Sequence, residues 1–418
     1  MAFLYSLGIK LYTLLVRIAS LKNAKAADWI NGRRDILQHI QNQVDPNVQY
    51  TWFHFASLGE FEQGRPVLEK LKANDPTIHI LITFFSPSGY KIRKDYPLAD
   101  HVFYLPIDSG KNAKEFIRLI NPKLAVFTKY EYWYYYFKEL HHQQVPLYII
   151  SGIFRKEQAF FKWYGSLHRQ MLNYVTHFFV QNEESKALLQ TLGIENVTVS
   201  GDTRFDRVAE NALALKQIDH IKEFCHNHKV FIAGSTWPED EALIAKLVSQ
   251  NTDWKFIIAP HEITEEKILA LEKLLPQNSI RYSQLNLSIS NLKSQISISN
   301  TQYSILIIDN IGTLSSLYQY ADIAYIGGGF GAGIHNTLEA AAFGLALIFG
   351  PNYQKFQEAI DLIKAGAAFS IKDFTGLKHC FEKLLDEQNR AESGQLAKKY
   401  IIQNVGATEI ITDHLLMG

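Results

Sequence analysis

From about residue 50 onward, short β-rich runs alternate with amphipathic stretches of helix length, and the alternation restarts at 229. Such a pattern builds βα units on a parallel sheet, because parallel neighbours need a crossover long enough to hold a helix. Runs 51–56, 78–84, 101–105, 123–127, 146–150, 177–180 and 197–199 predict a first set of strands; 229–233, 255–259, 279–282, 304–308, 323–326 and 346–349 predict a second. The chain has 418 residues, more than the roughly 250–300 that one core supports, so two domains are expected. The restart puts the boundary near 206, giving a helical N-terminal segment 1–34 and two Rossmann-like α/β domains, 35–206 and 207–418, facing a cleft. Ligands in such folds sit at the carboxyl ends of strands. Residues 283–302, rich in Ser, Asn, Ile and Gln, read as a surface loop, and 375–418 as helices broken near Gly394 and Gly406.

Leu4, Leu7, Leu11, Leu14, Ile18 and Leu21 draw one apolar stripe down an N-terminal helix, with Lys10 and Arg17 on one flank. Two cations within the helix disfavour spanning a bilayer, whereas the +5 net charge of the first 34 residues suits an anionic membrane surface. Packing on the protein itself is the other reading. The balance of 42 basic against 42 acidic residues gives no broad case for nucleic acid. With only Cys225 and Cys380, a disulfide framework or cysteine metal site is not expected, and a reducing compartment such as the cytoplasm fits.

Three strand ends in the first half carry chemistry. Ser57-Leu58-Gly59-Glu60 follows the first strand, and an acid there either complements the helix dipole or accepts a proton from an acceptor hydroxyl. Ser86-Pro87-Ser88-Gly89 offers hydroxyls and backbone N–H groups to an anion. Glu131 sits in Tyr130-Glu131-Tyr132-Trp133-Tyr134-Tyr135-Tyr136-Phe137, desolvated among rings or hydrogen-bonded by them; the rings serve packing, or contact with sugar, acyl or membrane surfaces.

In the second half, Gly234-Ser235-Thr236 ends a strand as either a phosphate site or a plain helix cap before Pro238 and the acids 239–241. The denser signal is Gly327-Gly328-Gly329-Phe330-Gly331-Ala332-Gly333, followed by His335-Asn336-Thr337-Leu338-Glu339. A glycine run between strand and helix lets backbone approach an anion closely, and Glu339 could bind ribose hydroxyls, so a nucleotide suits it; helix–sheet packing is the alternative. Neither the dinucleotide nor the P-loop spacing is present. His261, after Pro260, ends another strand. No cluster has zinc spacing and no nucleophile elbow occurs, so neither a metal nor a cofactor is expected.

Taken together these motifs resemble the 3-deoxy-D-manno-octulosonic acid (Kdo) transferases of lipopolysaccharide biosynthesis, B-type glycosyltransferases. Ser57-Leu58-Gly59-Glu60 is similar to the family's Ser-x-Gly-Glu, and Glu131-Tyr132-Trp133 to its Glu-Leu-Trp. Gly201-Asp202-Thr203-Arg204-Phe205-Asp206 is similar to its Gly-Asn-x-Lys-Phe-Asp, and His335–Glu339 to its His-Asn-Pro-Leu-Glu. The resemblance implies a B-type fold and inverting transfer of Kdo from CMP-Kdo to a lipid A precursor at the cytoplasmic face of the inner membrane. It implies Glu60 as general base, with Ser57, Gly59, Ser86, Ser88 and Glu131 on the acceptor or sugar side. The nucleotide would be lined by Asn336, Thr337, Leu338 and Glu339 with Pro260, His261, Ile311, Gly312 and Thr313, beside Ser235, Thr236 and Gly329. The sequence departs from the family at Pro260, where arginine is usual, and at Thr313, Ile334 and Thr337, and Arg204 is the candidate to supply the missing charge. Two alternatives remain: another B-type enzyme or epimerase using a UDP-sugar, and a non-catalytic nucleotide-binding protein of the membrane surface.

Overall fold

The computed structural model describes residues 2–417 apart from 219, 277 and 286–302. The chain divides into two compact units, one of Met1–Asp206 with Val405–Gly418 and one of Arg207–Asn404.

In the first unit β1 (Tyr50–Phe55), β2 (His79–Phe84), β3 (His101–Tyr104), β4 (Pro122–Thr128), β5 (Leu147–Gly152), β6 (His177–Val180) and β7 (Val197–Val199) form one sheet. Its order is β3-β2-β1-β4-β5-β6-β7, and every pairing is parallel. Alternate residues of β1 feed two apolar layers: Tyr50 and Trp52 pack with Phe116, Phe127 and Tyr136 on one face, Phe53 and Phe55 with Phe61 and Phe84 on the other. Burial on both faces is why these strands read as nearly continuous apolar runs. Tyr134, Tyr136 and Phe137 of the aromatic cluster are core residues.

The second unit holds β8 (Val230–Thr236), β9 (Lys255–Pro260), β10 (Ser279–Arg281), β11 (Ile305–Ile307), β12 (Ile323–Ile326), β13 (Ala346–Phe349) and β14 (Ala368–Ser370). Their order is β10-β11-β9-β8-β12-β13-β14, again all parallel. β14 is a strand the sequence pattern did not disclose.

Two assignments change at the ends of the chain. The last helix, Ala407–Met417, was expected in the second domain but belongs to the first unit, where Ile411 and Leu415 enter the apolar layer of Phe55 and Phe84. Asp206 fastens it, accepting from the backbone N–H of Gly406 (2.6 Å) and Thr408 (2.9 Å) and from the Thr408 hydroxyl (2.9 Å). Gly394 does not break a helix: it lies within Glu387–Asn404, where a Cβ would meet the Gly344 carbonyl oxygen at 2.1 Å. The expected surface loop at 283–302 lies mostly outside the described residues.

The N-terminal helix, Ala2–Ala19, belongs to the first unit and is long and apolar enough, by length and composition, to cross a membrane. It is fastened to that unit by the Tyr5 hydroxyl, which donates to Asp108 at 2.6 Å, by Ser6 against the Tyr135 hydroxyl, and by Tyr12 packed edge-on to Trp29. The apolar stripe is not packed on the protein, the alternative reading: Leu4, Leu7, Leu11, Leu14 and Ile18 are each more than half exposed.

Candidate active site

In each sheet there is one place where the connections leaving two adjacent strands run in opposite directions, between β1 and β4 in the first unit and between β8 and β12 in the second. Crevices at such switch points are where open α/β sheets bind ligands.

At the first switch point three adjacent strands deliver the predicted side chains. β1 leads to Ser57 and the helix Leu58–Asn74, β2 to Ser86 and the helix Pro87–Arg93, and β4 to Glu131. Ser57 is the N-cap of its helix, yet its hydroxyl caps no backbone N–H; it donates to the Glu60 carboxylate. A cap hydroxyl given up to a carboxylate holds that carboxylate at the strand end, which simple dipole compensation does not require. Gly59 is exposed between them, and a Cβ there would touch only the Ser57 hydroxyl at 3.7 Å. The hydroxyls of Ser86 and Ser88 lie 2.8 Å apart.

Glu131 is held by rings, though not by the tyrosines around it. Trp133 Nε1 donates to Glu131 Oε2 at 2.9 Å, and His54 Nε2 lies 3.2 Å from the same oxygen. Behind them, Thr83 Oγ1 is 2.8 Å from both Trp52 Nε1 and His54 Nδ1. Tryptophan can only donate, so the arrangement that satisfies every group runs one way. Trp52 donates to Thr83, Thr83 to His54 Nδ1, and His54 Nε2–H to Glu131. The residue sequence reasoning missed is therefore His54, a buried strand position whose only sign was a polar side chain inside an aromatic run. Lys129 and Ser151, at the ends of β4 and β5, are in the left-handed region at φ 58° and 52°, a conformation that costs non-glycine residues energy and clusters at functional sites.

Arg204 is not presented as a lone cation: its guanidinium is held by Asp202, with Nε to Oδ2 and Nη2 to Oδ2 both at 2.8 Å. Asp202 is buried and also faces Gln63 of the helix that carries Glu60. The Gly201–Asp206 motif thus spends both of its acids on holding structure, Asp202 on Arg204 and Asp206 on the final helix.

At the second switch point the four adjacent strands β11, β9, β8 and β12 end respectively in Ile311–Thr313, His261, Ser235–Thr236 and the glycine run. Here the expectation is partly reversed. A Cβ on Gly327 would lie 2.2 Å from the Ser235 carbonyl oxygen, and one on Gly329 would lie 2.6 Å from Gly350. These glycines are consumed by backbone packing against neighbouring strand ends, and Gly331 is the one in the run whose Cβ would meet nothing closer than 3.8 Å. Gly329, Thr337 and Leu338 are buried, so their side-chain positions face the interior; the exposed members of the predicted set include His261, Ile311, Gly312 and Asn336. The helix that follows, Leu338–Ala342, has five residues, so its dipole is smaller than expected.

What shapes the run is Asp240, buried in the first turn of the helix Pro238–Gln250. It accepts from the Tyr325 hydroxyl (2.7 Å) and from the backbone N–H of Gly328 (2.8 Å) and Trp237 (2.9 Å). Burial pushes its carboxyl up from the ordinary range, and those three donors oppose the shift. The Thr236 hydroxyl is likewise committed, to Glu241 at 3.0 Å. Against the exposed side of the run, Trp237, His261 and His335 stack with ring centroids 4.8 and 4.4 Å apart. Trp237 Nε1 donates to His335 Nε2 at 3.0 Å, which fixes a neutral imidazole carrying its proton on Nδ1. Burial, then the neighbouring His261, lower the His335 pKa in the same sense. Asn336 donates to Glu339, the acid predicted to meet a ribose, at 3.1 Å and accepts from the Leu338 N–H at 3.0 Å, so the two side chains are pre-oriented. Among the described residues no three His, Cys, Asp or Glu gather as a metal site.

Comparison with known proteins bears on the resemblance. Residues 31–207 match the family model described as 3-deoxy-D-manno-octulosonic-acid transferase (kdotransferase). The chain is 28% identical over 399 residues to a 3-deoxy-D-manno-octulosonic acid transferase of Rickettsia bellii, covering 93% of this chain and 91% of that one. The resemblance to the Kdo transferase family is thus borne out over most of the chain. The chain is a glycosyltransferase. A second relative of the same description, from Chlamydophila psittaci, is 29% identical over 80% of this chain and 77% of its own. Among solved structures, a UDP-GlcNAc 2-epimerase of Neisseria meningitidis superposes with a TM-score of 0.63 at 16% identity, covering 88% of this chain and 100% of that one. The chain therefore shares with that structure a fold of two parallel-sheet, Rossmann-like domains.

Proposed function

We propose that the enzyme transfers Kdo from CMP-Kdo to a lipid A precursor of the lipid IVA type, with inversion, and that Glu60 is the general base. Glu60 accepts the proton of an acceptor sugar hydroxyl as that oxygen forms a bond to the anomeric carbon of Kdo. The bond from that carbon to the CMP phosphate breaks on the opposite face, and CMP departs with the electron pair. The observation that carries the base assignment is the Ser57 hydroxyl, turned from helix capping to hold the Glu60 carboxylate at the end of β1.

Glu131, held by His54 and Trp133, is the second carboxylate of that edge and suits hydrogen bonds to sugar hydroxyls. In the second unit the Trp237–His261–His335 stack offers a ring surface and the Asn336–Glu339 pair a ribose contact for the cytidine nucleotide. No metal is invoked, since backbone N–H groups and the Nδ1–H of His335 are donors suited to a leaving phosphate. The outward apolar stripe and the basic first 34 residues support peripheral attachment to the cytoplasmic face of the inner membrane.

Incubating the enzyme with CMP-Kdo and tetra-acylated disaccharide, then weighing the product, tests the reaction. A mass gain of one or more Kdo residues, abolished in Glu60→Ala while CMP still binds, is the expected result. Normal turnover by Glu60→Ala would remove the base, and inhibition by UDP in place of CMP would replace the donor with a UDP-sugar.

A further inference from the structure

Between the N-terminal helix and the carboxyl edge of the first sheet lie two adjoining cavities. One, of about 400 Å³, is lined by Ile9, Tyr12, Thr13, Trp29, Phe85 and Trp133, together with Ile107 and Asp108. The second, of about 420 Å³, shares Ile9, Thr13, Ile107 and Asp108 with the first and continues to Lys10, Arg17, Ser109 and Asn112. The space is thus amphipathic: aromatic and aliphatic at one end, flanked by two cations at the other.

Its floor is built, not incidental. The buried Arg33 guanidinium lies 4.1 Å from the Trp29 ring centroid and 5.1 Å from that of Phe85. The same group donates to the backbone carbonyls of Leu105 (2.9 Å), Trp29 (3.1 Å) and Phe85 (2.6 Å). Beneath it Gly32 is required, because a Cβ there would enter the Tyr104 ring at 2.2 Å. Two of the cavity's walls are therefore locked from below, while its roof, the helix Ala2–Ala19, has no buried residue. The aromatic end opens beside the chemistry: Phe85 precedes Ser86, and Trp133 donates to Glu131.

The geometry points to an acyl-chain site: the aromatic cavity takes one hydrocarbon chain of an anionic amphiphile, and Lys10 and Arg17 take its anionic head. Each end fits its share of the ligand. An apolar volume of this size lies within the range that binds small ligands, and two cations at its mouth complement a phosphate or carboxylate. The amphiphile is the acceptor of the reaction proposed above, so the inference rests on that reading, but the site is testable without turnover.

Trp29 and Trp133 report directly on occupancy. The full-length enzyme is titrated with 9,10-dibromostearate, whose bromines quench nearby indoles, in the absence of CMP-Kdo. Saturable quenching is expected; it is absent in the double variant Trp29→Phe, Trp133→Phe. Thr13→Phe fills the cavity and weakens binding at least tenfold, and Lys10→Gln with Arg17→Gln weakens it several-fold. Ile9→Phe, on the same unburied helix, repeats the filling test should Thr13→Phe not fold. Leu4→Gln with Leu11→Gln, on the outward stripe, separates general membrane or micelle contact from the cavity and leaves quenching unchanged. Quenching that survives both filling variants, or that falls only with the outward pair, overturns the site. Saturable quenching in an enzyme that transfers no Kdo would sink the proposed reaction and leave the acyl site standing.

Discussion

The carboxyl edges of β1 and β12 each border the switch point of a seven-stranded parallel sheet, yet they are made of different materials. At β1 the chain places side chains: Ser57 on Glu60, and a Trp52–Thr83–His54–Glu131 relay behind the second carboxylate. At β12 it places backbone, a glycine run folded against Ser235 and Gly350 and tied by Asp240. The contrast follows from the chemistry each edge would face. A base needs a group that accepts a proton at one point, whereas a nucleotide needs a surface with many weak donors.

The sharpest way to break the comparison is Glu60→Gln, which keeps shape and removes basicity. Transfer should fall by about 10³-fold, within the 10²–10⁴ range of a general base, with CMP affinity unchanged by calorimetry. A comparable loss of CMP binding would show that Glu60 serves the nucleotide. Next, Asp240→Ala strands the buried Tyr325 and Gly328 donors at roughly 1–3 kcal/mol each and frees the half-buried Trp237 N–H, and it should lower the stability of the second unit by several kcal/mol in urea unfolding. Asp240→Asn, which retains an acceptor, should cost clearly less.

Asp108 tests whether a buried acid that tethers the N-terminal helix behaves as burial requires. Desolvation pushes its carboxyl up to about 6, against the pull of the Tyr5 hydroxyl and the backbone N–H groups of Tyr134, Tyr135 and Tyr136. A raised native pKa means the folded state binds the proton more tightly. Its contribution to stability is complete below the unfolded value of about 4 and is lost as pH rises through about 6. Relative to Asp108→Asn, the parent should lose at most about 3 kcal/mol between pH 4 and pH 7; parallel stability curves for the two would refute the assignment.

A smaller pair sharpens the glycine edge. Gly329→Ala forces a Cβ to 2.6 Å from Gly350 backbone and should cost about 2 kcal/mol. Gly331→Ala, with open space, should change stability by less than about 0.5 kcal/mol. If Gly331→Ala nonetheless weakens CMP binding measured by calorimetry, the open side of the run is the surface that meets the nucleotide.

Much of this molecule was readable in advance. All but one of the strands lie where periodicity put them, because fully buried parallel strands advertise themselves as apolar runs between helical segments. The motifs at the ends of β1, β2, β4, β8, β9, β11 and β12 were also found, since glycines, acids and hydroxyls interrupt those runs visibly. Hidden were the partners: His54 looked like one more strand residue, and Asp240 like an ordinary helix-start acid. The glycine run misled in the other direction. Its composition reported that backbone comes close to something, without reporting that Ser235 and Gly350 are that something.

Local order of polar and apolar residues was enough to specify two α/β halves, their strands and the strand-end junctions between them, because those depend on periods of a few residues. Which donor meets which acceptor was decided by folding. Asp206 reaches Gly406 and Thr408, two hundred positions away in sequence and adjacent in space, and so draws the final helix into the first unit. Arg33 reaches beneath Phe85, and Asp240 reaches Gly328, for the same reason. Hydrogen bonds act over about 3 Å irrespective of the chain between their ends, so only the packed structure selects these pairings.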